Sequence, residues 1–211
     1  VPPGPPFPEV LHTKTVCGIV WCWTGPTAAA QRWLDKARTV AAPVFEHVGQ
    51  MPYPTLQSLF DPILPPGMQW YWRADFVDQL PDEAIARHVE HGSRLPSWRS
   101  TMHLYPINGA AARVGATDTP WAYRGATWAE VIVGVDPDPA NAGRITDWCK
   151  GYWSAVHPYS AGGAYVNFMM DEGQERVRAT YGANYDRLAR IKSVYDPSNV
   201  FRVNQNIVPA A

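Results

Sequence analysis

Two polar residues near the end of the sequence are placed to do chemistry together. Tyr165 and Asn167 are two positions apart and follow Gly162 and Gly163. If this segment is a short strand, both side chains project from the same face, and the two glycines allow another group to approach the backbone closely. A phenol beside an amide can orient a polar ligand, or the phenol can act as an acid or base. The alternative interpretation is structural: a tyrosine whose hydroxyl is hydrogen-bonded at the edge of the core.

Three consecutive amides, Asn204, Gln205 and Asn206, follow the last predicted helix. Such a run is typical of a polar turn, but its side chains also offer donors and acceptors that suit the edge of a heterocycle. Spacing alone leaves both interpretations open.

Common motifs for nucleotide binding, acyl transfer and zinc catalysis are missing. The sequence contains no G-x-G-x-x-G, Walker loop, G-x-S-x-G or H-E-x-x-H. His88 and His91 are one helical turn apart, but no third ligand stands at a recognisable spacing. Cys17 and Cys22 are five positions apart on a predicted strand, so they point to opposite faces. We therefore expect no metal site, and reduced cysteines rather than a disulfide framework.

The composition limits the classes of partner. Lys and Arg number 18 and Asp and Glu number 19, which gives a net charge of −1 and no general attraction to nucleic acid or anionic membrane. Hydrophobic residues make up 46% of the 211 residues, enough for a packed core. No apolar run approaches the roughly 20 residues of a membrane-spanning helix. These features predict a soluble, cytoplasmic protein that binds neither nucleic acid nor membrane.

Hydrophobic periodicity alternates between strands and helices. Strands are predicted at residues 15–23, 68–76, 100–107 and 128–135, and helices at 27–40, 80–92 and 141–156. Each helix has an apolar stripe that we expect to be buried, with Trp33 and Val40 in the first, Ile85 and Val89 in the second, and Cys149 and Tyr152 in the third. Residues 68–76 alternate most clearly, with Tyr71 and Arg73 on the polar face. Asn108-Gly109 is a hairpin turn signal. This order predicts an α+β fold, in which an antiparallel sheet has its helices packed on one face.

The last 50 or so residues differ in character from the rest. A short strand is predicted at 165–169, followed by helices at 172–181 and 184–195. Asp196 and Pro197 then end the last helix.

The same region carries short motifs in a fixed order. They are Gly163-Ala164-Tyr165-Val166-Asn167-Phe168, Tyr181-Gly182-Ala183-Asn184-Tyr185, Tyr195-Asp196-Pro197, Asn199-Val200-Phe201-Arg202 and Asn204-Gln205-Asn206-Ile207. This succession resembles the C-terminal signature of the berberine-bridge-enzyme-like FAD-linked oxidases of the vanillyl-alcohol-oxidase superfamily. Upstream, Met51-Pro52-Tyr53, Arg73-Ala74-Asp75-Phe76 and the turn after Pro106 resemble the substrate domain of bacterial members. The resemblance therefore covers nearly the whole chain.

The resemblance implies a division of the chain and a missing part. In that family an FAD-binding domain precedes a substrate domain, whose antiparallel sheet covers the isoalloxazine ring, and a C-terminal segment that returns to the FAD-binding domain. Residues 1–160 would be the substrate-binding domain and residues 161–211 the C-terminal segment. The flavin-linking histidine and the glycine-rich flavin loop have no counterpart here. Together with a first residue, Val1, that is not Met, this leads us to expect a piece of a larger protein or a processed chain.

The resemblance also implies roles for named residues. Family chemistry moves a hydride from a substrate C–H to flavin N5 while a base takes a proton from the adjacent hydroxyl, and the tyrosine at the position of Tyr165 is that base in several members. A free tyrosine has a pKa of about 10, so its use as a base near neutral pH needs about 4 kcal/mol of help; Arg73, His103 and Arg113 are the candidate helpers. Plant members carry a Pro-Tyr-Gly-Gly turn and then a catalytic glutamate. This chain has Pro-Ile-Asn-Gly, and the glutamate position falls near Arg113, which favours Tyr165.

The remaining site residues are grouped by the part of the reaction they would serve. The residues expected near the flavin are Asn167, Asn204, Gln205 and Asn206. The residues expected near the substrate are Tyr71, Arg73, His103, Tyr105 and Arg113.

Two hypotheses of different classes follow. In the first, the chain is the substrate-binding and C-terminal portion of an FAD-dependent oxidoreductase that acts on a small hydroxylated or amine-bearing molecule. It would be inactive alone, its partner would be an FAD-binding domain upstream or on a separate subunit, and a homo-oligomer is left open. In the second, the chain is a flavin-free, stand-alone module that uses the same fold for small-molecule binding or assembly.

Overall fold

The computed structural model describes residues 1–211, which divide into two compact units, Val1–Pro65 and Pro66–Ala211. We call them the N-terminal unit and the C-terminal unit. The N-terminal unit contains helices α1 (Thr27–Val40) and α2 (Tyr53–Gln57). The elements of the C-terminal unit are β1 (Gln69–Val77), α3 (Asp82–Gly92), β2 (Thr101–Pro106), α4 (Gly109–Arg113), β3 (Trp128–Asp136), α5 (Ala142–Val156), α6 (Gln174–Tyr181) and α7 (Tyr185–Tyr195). None of the helices has the length and hydropathy needed to cross a membrane.

No residue of the N-terminal unit is buried. The strand predicted at 15–23 is wrong: the segment belongs to no sheet, and a strand exists only where a neighbouring backbone pairs with it. Helix α1 is present, but the stripe expected to be buried is open, with Trp33 53% and Val40 87% exposed. The unit therefore displays apolar side chains that its own elements do not cover.

The C-terminal unit is built on a three-stranded antiparallel sheet in the order β1-β3-β2. Asp75 lies opposite Glu130, and His103 lies opposite Val131. The outer edge of β1 is continued by the chain around residues 160–163, where Val77 bridges Ser160 and Phe76 N–H donates to Gly163 O at 2.7 Å. The α+β fold is confirmed.

One face of the sheet is covered by α5, which packs on β1 and β3, while α3 packs on α5. Ile132 of β3 lies in a cluster with Cys149 and Tyr152 of α5, as the helical stripe predicted. The buried stripe predicted for α3 is partly wrong, because Ile85 and Val89 are exposed. Helix α3 touches the rest of the unit mainly through α5, so only a narrow strip of its surface is covered.

The other face of the sheet contributes to a second cluster. Ala74 and Val131 lie there with residues of the C-terminal segment: Ala164, Met169, Val177, Tyr185 and Ala189. Residues 161–211 are thus joined to the sheet within this chain. Their further packing on an FAD-binding domain, and a domain boundary at residue 160, stay predictions.

Two local predictions are wrong for physical reasons. The expected hairpin after Asn108 is α4, because the run of alanines that follows Gly109 favours a helix. The expected strand at 165–169 is a 3₁₀ turn, Val166–Phe168. The edge of β1 that such a strand could join is already paired with residues 160–163.

Candidate functional site

Tyr165 and Asn167 do meet, although not across a strand face. Tyr165 has extended backbone angles and is followed by the turn Val166–Phe168. This turn brings the side chain of Asn167 back, so that its Nδ2 donates to Tyr165 Oη at 2.9 Å. Asn167 is exposed and Tyr165 is half-buried. The phenol oxygen therefore has an amide donor and remains within reach of a ligand.

The two glycines before Tyr165 fix the path of the backbone. Gly162 has φ +96°, a conformation that side chains disfavour. A Cβ at Gly163 would lie 2.3 Å from the ring of Tyr123, so nothing larger than glycine fits there. Tyr123 is held in turn by a 2.9 Å hydrogen bond from its hydroxyl to Ala179 O. The segment that leads into Tyr165 is therefore tightly packed.

Aromatic rings link Tyr165 to strand β2. The ring of Phe168 lies 5.0 Å from Tyr165 and 5.4 Å from Tyr105. The hydroxyl of Tyr105 shares a 2.8 Å hydrogen bond with His103 Nδ1. The two residues are two positions apart in β2, so their side chains lie on the same face of the strand. We call His103, Tyr105, Tyr165, Asn167 and Phe168 the Tyr165 surface.

Desolvation shapes the ionisation of this surface. It lowers the pKa of His103 and raises the pKa of Tyr105, because both charged forms lose hydration beside neighbouring rings. Both groups are therefore neutral near neutral pH. A neutral imidazole and a neutral phenol can donate and accept hydrogen bonds without adding charge.

The structure does not bring Tyr71 and Arg73 to the Tyr165 surface. They lie on the face of β1 that α5 covers, whereas His103 and Tyr105 lie on the other face of the sheet. Arg73 is hydrogen-bonded to Tyr71 Oη at 3.1 Å and paired with Glu172 at 2.5 Å. Its charge is therefore already balanced inside this chain.

Arg113 is the exposed last residue of α4 and takes no part in the Tyr165 surface.

The three amides separate into different environments. Asn204 is exposed and has φ +59°. Gln205 Nε2 donates to Met169 O at 2.9 Å and to Met170 O at 3.1 Å, so it holds the chain that leaves Phe168. Asn206 has a buried Oδ1 with no donor. Of the three, Asn206 alone offers a buried unpaired acceptor.

Sequence reasoning missed a group of buried ionisable residues on the face that α5 covers. Glu130 is 2% exposed, and its Oε2 lies 3.6 Å from His88 Nε2. Burial, and then the neighbouring charge of Asp75, raises the pKa of Glu130 to about 8. His88 Nδ1 shares a 2.9 Å hydrogen bond with Tyr152 Oη. The sequence did contain a signal for this group: a glutamate inside an otherwise apolar strand indicates a buried acid.

Asp75 is buried beside Glu130 but has cationic partners. Burial raises its pKa, while Arg176 and His157 act in the opposite direction. His157 Nδ1 lies 2.8 Å from Asp75 Oδ2, and Arg176 is bonded to Oδ1. Two adjacent acids thus have different environments: Asp75 has Arg176 and His157 at hydrogen-bond distance, whereas Glu130 has His88 at 3.6 Å.

Two shallow cavities, of about 260 and about 110 Å³, lie beside α7, and Tyr165 lines neither.

Comparison with known proteins agrees with the motifs. Residues 164–208 match the family model "Berberine and berberine like". An FAD-linked oxidoreductase of Dictyostelium discoideum is 24% identical over 193 residues, which cover 90% of this chain and 42% of that protein. The uncharacterized FAD-linked oxidoreductase YgaK of Bacillus subtilis is 30% identical over 135 residues, 64% of this chain and 30% of that protein.

Solved structures show the same fold. Aclacinomycin oxidoreductase aligns with a TM-score of 0.74 at 18% identity and covers 89% of this chain and 43% of that one. A variant of berberine bridge enzyme aligns with a TM-score of 0.74 at 20% identity, over 89% of this chain and 44% of that one. The chain therefore spans less than half the length of these relatives.

Proposed function

This chain carries a berberine-like C-terminal segment and resembles part of the FAD-linked oxidoreductases, and from that premise we propose that it supplies the substrate-binding and C-terminal portion of such an enzyme. Residues 1–160 bind a small hydroxylated or amine-bearing substrate, and residues 161–211 complete the site. The partner is an FAD-binding domain, covalently joined or on a separate subunit. Without it, this chain is inactive.

The residues of the Tyr165 surface fit the ring part of a flavin but not its phosphates. Aromatic rings, a phenol and an amide suit a flat heterocycle with polar edges. The buried unpaired Oδ1 of Asn206 is an acceptor that an N–H donor could satisfy. The sequence has no G-x-G-x-x-G or Walker loop to bind a pyrophosphate. When bound, FAD supplies the hydride acceptor, and the residues of this chain provide binding and proton transfer.

The observation that carries the proposal is the hydrogen bond from Asn167 Nδ2 to Tyr165 Oη. Tyr165 acts as the phenolate, takes the proton from the substrate's hydroxyl or amine and becomes a neutral phenol. The amide N–H of Asn167 stabilises the phenolate before this transfer. A hydrogen bond to a charged group contributes about 1.5–3 kcal/mol. This is less than the roughly 4 kcal/mol that a tyrosine base needs near neutral pH, so further donors must help.

His103 and Tyr105 orient the substrate beside Tyr165. Their 2.8 Å hydrogen bond fixes the phenol of Tyr105. Since both groups are neutral near neutral pH, they present a polar edge without repelling an uncharged substrate. Phe168 packs between Tyr105 and Tyr165 and fixes the two rings relative to each other.

Replacing Tyr165 by Phe tests the proposal. In the complete, flavin-loaded enzyme, Tyr165→Phe is expected to slow anaerobic flavin reduction by about 10² or more, because a positioned base contributes that much. The matched control is Tyr195→Phe, since Tyr195 is 84% exposed at the end of α7. This control should reduce its flavin at the wild-type rate. A loss of less than tenfold in Tyr165→Phe would rule out Tyr165 as the base.

A further inference from the structure

Arg176 of α6 lies outside the Tyr165 surface, yet its guanidinium binds two separate segments of the backbone. Its side chain is 11% exposed. One guanidinium nitrogen donates to Gly162 O at 2.8 Å, and another donates to Ala74 O at 2.5 Å and to the carboxylate of Asp75. A single planar group thus binds both β1 and residues 161–163, which we call the glycine turn.

The glycine turn is the direct lead into Tyr165. Gly162 stands three residues before Tyr165. On its two sides the chain is paired with Phe76, through Ala161 N–H to Phe76 O at 2.7 Å and Phe76 N–H to Gly163 O at 2.7 Å. The carbonyl of Gly162 points to Arg176 instead. Arg176 therefore fixes a peptide of this turn that the sheet does not hold.

Arg176 is itself held by charge and packing. Its Nε lies 3.4 Å from Glu172 Oε2, the carboxylate that also pairs with Arg73. Its guanidinium lies 5.6 Å from the ring centroid of Trp153. Both carboxylates, of Asp75 and Glu172, are 1% exposed. The fork of an arginine can serve two carbonyls and a carboxylate together, whereas the single ammonium of a lysine cannot match that geometry.

We propose that Arg176 is a positioning residue for Tyr165. Acting through Gly162 and Gly163, its guanidinium sets where the backbone enters Tyr165 and hence where the phenol stands. The inference has a positional part, the placement of the phenol, and a kinetic part, the effect of that placement on the reaction. The kinetic part rests on the proposed function of Tyr165; the positional part does not.

The positional part is tested in the 211-residue chain with 3-fluorotyrosine placed at position 165. Fluorine NMR should give one resonance for the otherwise unchanged chain. Arg176→Lys keeps the positive charge beside Asp75 but loses the fork, so the resonance should move or split. The matched control is Arg190→Lys, because Arg190 is exposed on α7. In this control the fluorine resonance of position 165 should coincide with that of the unchanged chain.

Two outcomes overturn the positional part. One is a folded Arg176→Lys variant whose resonance coincides with that of the unchanged chain. The other is loss of the far-ultraviolet circular dichroism spectrum in that variant, because Arg176 would then support the whole unit rather than the turn before Tyr165.

The kinetic part uses the complete, flavin-loaded enzyme. Arg176→Lys should lower kcat about tenfold or more and change KM less than about threefold, since misplacing a reacting group by about 1 Å can cost 10²-fold. An unchanged kcat contradicts it. If Tyr165→Phe reduces its flavin normally while Arg176→Lys still moves the fluorine resonance, then the base assignment fails and the positioning stands.

Discussion

At the scale of residues, the sequence predicted that Tyr165 and Asn167 lie together, but for an incorrect local reason. Tyr165 and Asn167 were expected to share a strand face, and a 3₁₀ turn brings them together instead. The alternation of β1 correctly placed Tyr71 and Arg73 on one face. It could not tell that α5 covers that face and that Glu172 neutralises Arg73, because this pairing joins residues 99 positions apart.

The buried carboxyl of Glu130 makes stability depend on pH. Its pKa is raised from an ordinary 4.5 to about 8 by burial and by Asp75. Between these two values the unfolded chain is ionised while the folded chain keeps its proton. Glu130 therefore makes folding less favourable as pH rises through this window, by up to about 1.4 kcal/mol per pH unit.

Glu130→Gln removes this ionisation and keeps the shape of the side chain. We subtract the free energy of unfolding of the wild-type chain from that of the variant. This difference should increase by about 1 kcal/mol or more between pH 5 and pH 8. Urea unfolding of both proteins at the two pH values measures the change. Effects of His88 and Asp75 that do not involve Glu130 cancel in the comparison. If the difference between the two unfolding free energies stays constant with pH, it would contradict the statement that folded Glu130 keeps its proton in this range.

At the scale of elements, periodicity predicted the sheet strands and α5 well, because their buried faces repeat regularly. It failed where a turn competes with a weak pattern. The alanines after Gly109 form α4 rather than a hairpin strand, and residues 165–169 form no strand because the neighbouring edge of β1 is taken. Pairing partners and edges are properties of the assembled sheet, which a local pattern does not contain.

The contact between α5 and β3 depends on Gly134. A Cβ at this position would lie 2.8 Å from Ile145 Cβ and 3.0 Å from Cys149 Sγ. Gly134→Ala should therefore lower the free energy of unfolding by about 1–3 kcal/mol, because the helix must move away from the sheet.

A glycine on the exposed side of the same helix provides the matched control. Gly151 lies inside α5, where a Cβ would meet nothing within 4 Å. Gly151→Ala should raise the free energy of unfolding by about 0.5–1 kcal/mol, since alanine favours the helix. Urea unfolding measures both variants. Effects of the same sign in the two would contradict the packing described for α5.

At the scale of the whole molecule, the two compact units differ in what they bury. The C-terminal unit has clusters on both faces of its sheet, whereas the N-terminal unit buries no residue and exposes Ile19, Val20 and Trp33. The sequence predicted apolar stripes in both units. It could not predict that the stripes of the N-terminal unit would lie open, because burial depends on the surfaces that cover them. Such open apolar surface agrees with our proposal that this chain works with an FAD-binding domain.

The most direct measurement for the central claim is the pH profile of flavin reduction in the complete, flavin-loaded enzyme. If Tyr165 takes the substrate's proton, the anaerobic reduction rate of the wild-type enzyme rises with pH as the base ionises, and Tyr165→Phe loses this limb of the profile. Tyr195→Phe should retain it. A Tyr165→Phe enzyme with the wild-type profile would show that the proton goes elsewhere and would contradict the account.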